Sequence, residues 1–195
     1  YSFVNYKKGD GFRSNSEFDS KNMYINLNYQ ITKKTKILTE FTYLNYLAQQ
    51  AGGLSDKMFN ENPYQSNRKR NWFNLDWFLY NFKLESDLNK NTSLGINFFG
   101  LNAKRKSLGF RSNRVDQIDP LQERDLIFGD FNNFGLESKL LTKYKILNKK
   151  SIFLLGLKYY NSNNTGEQGP GINNSEPNFN FQYDLFPNYR YQSFF

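Results

Sequence analysis

Apolar and polar residues alternate along much of this chain, and the alternation breaks at regular intervals. Met23, Ile25, Leu27 and Tyr29 interleave with Tyr24, Asn26, Asn28 and Gln30. A period of two gives a β-strand one apolar and one polar face. The pattern turns at 32–35 and resumes over Ile37–Leu47, with Thr39, Phe41 and Tyr43 opposite Glu40 and Thr42. From about 71 to 86, Phe73, Leu75, Trp77 and Leu79 oppose Asn74 and Asp76; then Phe82 and Leu84 oppose Asn81, Lys83 and Glu85. That change of phase predicts a β-bulge near Leu79–Asn81. Further strands are predicted at 92–105 (Leu94, Ile96, Phe98), 132–145 (Phe134, Leu136, Leu140) and 151–160 (Phe153, Leu155, Leu157, Tyr159). With 1–8 and a final descending strand from Tyr189, the pattern gives about eight antiparallel segments.

The connections alternate in length. Thr32–Thr35, Asp87–Asn91 and Leu147–Lys150 are tight and Lys-rich, whereas roughly 9–20, 48–70, 106–131 and 162–187 are long and rich in Gly, Asn and Arg. Most strands reach the roughly 9–11 residues that cross a bilayer at a tilt. Short turns at one end and long loops at the other are the arrangement of a transmembrane β-barrel, with periplasmic turns and extracellular loops. The fold expected is therefore all-β: a partial antiparallel transmembrane β-barrel of about eight strands. A soluble sandwich also alternates its faces, and it stays as an alternative.

Composition narrows the chemistry. Among 195 residues there is no Cys and no His. This removes thiolate nucleophiles, disulfides, Cys/His zinc sites and His-based triads, and the chain is expected not to be an enzyme and to use no cofactor. No apolar run is long enough for a membrane helix. Low mean hydropathy is compatible with a barrel, in which only alternate strand residues face lipid. Aromatics make up 18% of the chain, which suits strands and aromatic girdles. The chain starts Tyr1-Ser2-Phe3-Val4 without a secretory leader pattern, so it is expected to be a piece of a longer precursor.

The net charge of +8 is unevenly placed: the four long stretches hold nine Lys/Arg against thirteen Asp/Glu. The positive excess sits on strands and short turns. No basic stripe of the kind that binds nucleic acid is evident. Local Arg pairs remain candidates for an anion. Arg68, Lys69 and Arg70 lead back into the sheet, and Arg111 and Arg114 flank small polar residues. Arg offers bidentate geometry to carboxylate or phosphate. The plainer alternatives are lipopolysaccharide phosphates at the first cluster and salt bridges to Asp116, Asp119, Glu123, Asp125 and Asp130 at the second. Trp72 is expected to be a membrane-interface anchor.

Several segments together resemble a known family. They are Gln49-Gln50-Ala51-Gly52-Gly53-Leu54 with Met58-Phe59, Arg70-Asn71-Trp72-Phe73, Leu108-Gly109-Phe110 with Arg114, Arg124-Asp125-Leu126-Ile127, and Phe131-Asn132-Asn133-Phe134-Gly135. In this order they resemble the barrel region of TonB-dependent outer-membrane receptors, most closely the ferric-dicitrate type of Bacteroidetes. The resemblance implies a segment, residues 1–195, of a 22-stranded barrel, with no plug and no signal peptide in this stretch. It implies import of ferric citrate or a siderophore as transported ligand, TonB coupling through the plug, an outer-membrane location, and contact with bilayer and lipopolysaccharide. Arg68, Arg70, Arg111 and Arg114 are then the expected ligand contacts. A small eight-stranded barrel adhesin or structural protein, and a soluble carbohydrate-binding sandwich, remain the competing functions.

Overall fold

The computed structural model describes residues 1–183 and the backbone of residues 189–194. Eight strands form a single antiparallel sheet in sequence order: β1 (Ser2–Gly9), β2 (Phe18–Thr32), β3 (Thr35–Gln49), β4 (Trp72–Asp87), β5 (Thr92–Gly109), β6 (Arg124–Ile146), β7 (Lys149–Gly171) and β8 (Tyr189–Phe194). A short helix, α1 (Asp56–Glu61), interrupts the second long connection. The sheet is all-β, a stretch of barrel wall whose strands are each joined to the next by a hairpin.

The three short turns fall where the alternation stops. Thr32 pairs with Thr35, Asp87 with Ser93, and Ile146 with Lys149. Leu147 and Asn148 carry φ of 48° and 63°. Two successive left-handed residues match the right-handed twist of the flanking strands. Asn tolerates that conformation; Leu pays a steric cost for it.

The predicted bulge near Leu79–Asn81 is absent. β3 and β4 pair without a shift from Thr35↔Ser86 to Gln49↔Trp72, and β4 and β5 from Asp87↔Ser93 to Trp72↔Leu108. A continuous strand keeps its side chains alternating, so the faces themselves change polarity. One face of β4 runs Phe73, Leu75, Trp77, Leu79, Asn81, Lys83, Glu85, from apolar to polar. The other runs Asn74, Asp76, Phe78, Tyr80, Phe82, Leu84, from polar to apolar.

The register carries this exchange across the sheet. Phe41, Tyr80, Phe82, Phe98, Phe134, Leu136 and Tyr159 share one face of the turn-side half. Their rings meet in sequence: Phe41–Phe82 (5.4 Å), Phe82–Phe98 (6.2 Å), Phe98–Phe134 (6.2 Å) and Phe134–Tyr159 (6.1 Å). Higher on the same face stand Lys21, Asn45, Asp76, Lys104 and Asp130, each opposite the next. The opposite face is polar on the turn side. Glu40 accepts from Tyr24, Asn26 and Asn81 there, and Lys158 reaches Glu137 at 3.0 Å. Toward the loops that face becomes apolar, with Leu44, Tyr46, Leu75, Trp77, Leu101 and Phe131.

The strands run further than the alternation predicts. β5 extends to Gly109 and β6 begins at Arg124, so the third long connection shrinks to 110–123. β7 runs to Gly171, through Asn161–Gly171, which composition marks as loop. Asn and Gly punctuate chains locally, but here Asn163 pairs with Asn132 and Gly166 with Gly129, so ladder bonds override composition. The end of the predicted fourth loop, 184–187, and Phe195 lie outside the described residues.

Candidate functional site: an arginine-stapled loop cap

The long connections at the loop end are tied together by guanidinium groups. Each arginine satisfies backbone carbonyls that loops leave without partners, and its planar fork reaches several at once. Arg13, in the β1–β2 connection, donates to Gly52 O and Gln65 O of the next connection. The rings of Phe12 and Tyr64 meet beside it at 5.1 Å. Gly52 has φ +79°, and a side chain there would come within 2.6 Å of Arg68 Cγ. The Gly52-Gly53 turn thus serves a close approach as well as a reversal.

Arg68 is 4% exposed. It donates from Nη1 to Asn67 O and Gln117 O, both at 2.8 Å, and from Nη2 to Ser112 Oγ at 2.5 Å. Its guanidinium lies 5.1 Å from the Phe110 ring centre. Arg70 is 5% exposed and grips Asp119 with both ends of its fork, Nε–Oδ2 2.9 Å and Nη2–Oδ1 2.6 Å. Its Nη1 donates to Gln122 O and Asn173 Oδ1. Burial pushes the Asp119 carboxyl up, but the Arg70 bonds and the Leu121 N–H together hold it below the usual carboxylate range.

Arg124 sits at the centre and is fully buried. Nε donates to Ile172 O (2.8 Å), Nη1 to Glu176 O (2.9 Å) and Arg70 O (3.2 Å), and Nη2 to Asn174 Oδ1 (2.6 Å). Burial first, and then the neighbouring Arg70 cation, push its pKa down to about 10, still charged at neutral pH. Leu108 and Leu126 pack beside it as the most buried apolar side chains. The result is a small core above the aromatic band, closed by the segment 172–183.

The four arginines expected from sequence therefore have unequal surroundings. Arg68 and Arg70 spend their donors on protein acceptors and fix the connection 110–123 to the connection 50–71. Arg111 is half-exposed and paired with Asp125 at 2.5 Å. Arg114 is the most open, with a side chain 78% exposed and Asp116 at 3.7 Å. Trp72 joins the loop cap: its indole Nε1 donates to Ser175 O at 2.7 Å, six residues above Phe78 on β4. Sequence reasoning missed Arg13 and Arg124 as staples. It also missed α1, whose signal is Ser55, an N-cap accepting from Met58 N–H. Among the described residues no cluster of acidic side chains is arranged to hold a metal.

No protein-family model matches the sequence, and no curated protein is similar to it. Solved structures are similar in fold. The unliganded ferric citrate transporter FecA superposes with a TM-score of 0.75 at 14% identity, over 95% of this chain and 26% of that one. BauA, the ferric preacinetobactin receptor from Acinetobacter baumannii, gives 0.66 at 12% identity, over 100% and 31%. One is named as a transporter and the other as a receptor. The resemblance to Bacteroidetes proteins in particular gains nothing from either. The chain spans between a quarter and a third of these neighbours' lengths, and at this identity the likeness carries the fold: a continuous stretch of receptor-type barrel wall with its loops.

Proposed function

We propose that residues 1–195 are a segment of the barrel domain of an outer-membrane, TonB-dependent receptor that binds and imports a ferric chelate, ferric citrate or a siderophore. The observation that carries this reading is the exchange of polarity between the two faces at a common level. On β6 the outer apolar face runs from Phe134 to Tyr144, ten residue steps. At about 3.3 Å per residue and about 40° of tilt it is about 25 Å tall, the height of a barrel's lipid-facing band. Below that level the outer face is apolar and the inner face polar, as lipid and an aqueous lumen require; above it water lies outside and the relation reverses.

The same reading calls for more strands. Over Lys149–Ser162, β7 is paired on one side only among the described residues, since β8 pairs with Asn163–Gln168. Unpaired backbone in lipid costs several kcal/mol per group, so a neighbouring strand is expected there. TonB coupling belongs to a plug that this reading places elsewhere in the receptor. Arg114, and Arg111 after exchange from Asp125, are the loop cations we assign to an anionic chelate. Arg68 and Arg70 orient the connection that presents them.

The test uses the full-length receptor. It should fractionate with the outer membrane and bind ferric citrate or a siderophore. The double variant Arg111→Ala, Arg114→Ala should weaken that binding at least about tenfold, the loss expected from a charge-assisted contact. Unchanged affinity would remove the arginines from the site, and a soluble, periplasmic or cytosolic protein would overturn the membrane reading itself.

A further inference from the structure

Two ion pairs tie the connection 110–123 to its surroundings, and they are built in opposite ways. Arg70 and Asp119 are both buried, and two nitrogens of the Arg70 fork meet the two carboxylate oxygens. Arg111 and Asp125 are open, with side chains 45% and 27% exposed, and Arg111 Nε alone meets the carboxylate, 2.5 Å from Oδ2. Neither Nη group of Arg111 has a partner among the described residues. A planar guanidinium offers several donors at once, so this pair leaves most of Arg111 unspent. A buried pair resists separation, whereas an open one separates at little cost.

Asp125 does not depend on Arg111 for its place. It stands near the start of β6 in the row Gly109, Asp125, Pro170, on the inner face that carries Phe131 lower down. One step away on β7, Gln168 Nε2 donates to both of its carboxylate oxygens, at 3.2 Å to Oδ1 and 2.9 Å to Oδ2. When Arg111 leaves, the carboxylate keeps that partner and stays where it is. Gly109 and Pro170 bring no polar side chain to the row. An anion that reaches Arg111 therefore displaces a carboxylate that is tethered, already in place and satisfied without it.

Resting on the reading above, in which Arg111 and Arg114 receive an anionic chelate, we propose that Asp125, held by Gln168, is an internal competitor for that anion. It occupies Arg111 in the empty receptor and sets the threshold a ligand must pass. The threshold selects by charge. A single carboxylate that takes Arg111 exchanges one ion pair for another and gains little. A chelate with two or more negative groups also engages Arg114, three residues on, whose Nε is 3.7 Å from Asp116 and whose side chain lies in water. That second contact supplies the net gain. The ligand class is thus a polyanionic chelate; a neutral chelate has nothing to set against Asp125. Asp125 and Gln168 act through Arg111 and are positioning residues.

The experiment is calorimetry on the full-length receptor extracted in detergent, with ferric citrate as the polyanionic probe and a ferric trihydroxamate siderophore as the neutral one. Asp125→Asn keeps the shape of the side chain and an acceptor for Gln168 but removes the competing charge. It should tighten ferric citrate binding about two- to fivefold, the worth of an open ion pair. Gln168→Leu leaves every charge in place and takes away the partner that Asp125 keeps on exchange, so it should weaken binding by a similar factor. Shifts of opposite sign are not what a general loss of structure produces. In an Arg111→Ala background, Asp125→Asn should make no difference, and the neutral chelate should not respond to it in either background. Tightening that persists without Arg111 is long-range attraction rather than competition, and it overturns the proposal. So does unchanged or weakened ferric citrate binding by Asp125→Asn, which would make Asp125 a support for Arg111. Binding of neither chelate by wild type or by any variant instead removes the receptor reading on which the proposal rests.

Discussion

The turn-side and loop-side halves of this sheet share strands, register and hairpin order, yet they are held together by different means. On the turn side, aromatic and aliphatic side chains tile the outer face with nothing among the described residues folded over them, and many stay exposed, Leu136 and Phe98 among them. The inner face there is a ladder of paired charges such as Lys36–Glu85 (2.6 Å). On the loop side the outer face is covered by segment 172–183, and the chain builds its most buried cluster around a cation, Arg124. The difference teaches that surroundings set the rule. On the membrane reading proposed above, lipid would satisfy apolar surface but no backbone group, so the lower half would need only strand pairing. Loops in water leave carbonyls to be paired, and Arg13, Arg68, Arg70 and Arg124 each reach at least one of them across a long sequence separation.

The largest expected effect tests whether the staple is confined to the upper half. Arg124→Ala removes the donor shared by Ile172 O, Glu176 O, Arg70 O and Asn174 Oδ1 and leaves a void at a fully buried side chain, and about 2–4 kcal/mol of local stability should be lost. Hydrogen exchange in the full-length protein should show lost protection over 110–123 and 172–183, with the turn-side strands unchanged. Protection lost evenly over both halves would dissolve the distinction. A somewhat smaller effect places the boundary itself. Leu136→Arg should cost about 2–4 kcal/mol in bilayer-folded protein, as charges on a lipid face do. Asn132→Arg, on the same face of the same strand and exposed, should stay within about 0.5 kcal/mol. Equal penalties at the two positions would deny a boundary between them.

The smallest effect is in pH. Because Asp119 has its carboxyl pKa lowered in the folded protein, its contribution is fully present above the unfolded value of about 3.9. It fades as pH falls through the lower folded value. Limited proteolysis of the 110–123 connection should therefore accelerate only in acid below about pH 4, and Asp119→Asn should remove that dependence. Acceleration beginning near neutrality would assign the sensitivity to another group.

Much of the lower half was legible in sequence. Alternation over Met23–Gln30 and Phe153–Tyr159 marks strands because a period of two needs no knowledge of neighbours. The tight turns are local chemistry too. The upper half was less legible. Asn161–Gly171 looks like loop until its partner strand is known, and the slip at Leu79–Asn81 looks like a bulge until the register shows the strand unbroken. The staple was invisible for the same reason. Arg70 and Asp119 lie 49 residues apart, and Arg124 and Ile172 lie 48 apart, so no local spacing announces them.

By itself, then, the sequence determined the strand segments, their order and the alternation of short turns with long connections, because each depends on side chains within a few residues of one another. The resemblance of its scattered segments to receptor barrels added the fold, and structural likeness bears that fold out. Only the tertiary structure decided which face is apolar at which height, how far β5, β6 and β7 run, and what each arginine does. Those are properties of register and of contacts across the sheet. A guanidinium in a loop is a free cation or a structural staple according to which carbonyls the fold brings within about 3 Å of it.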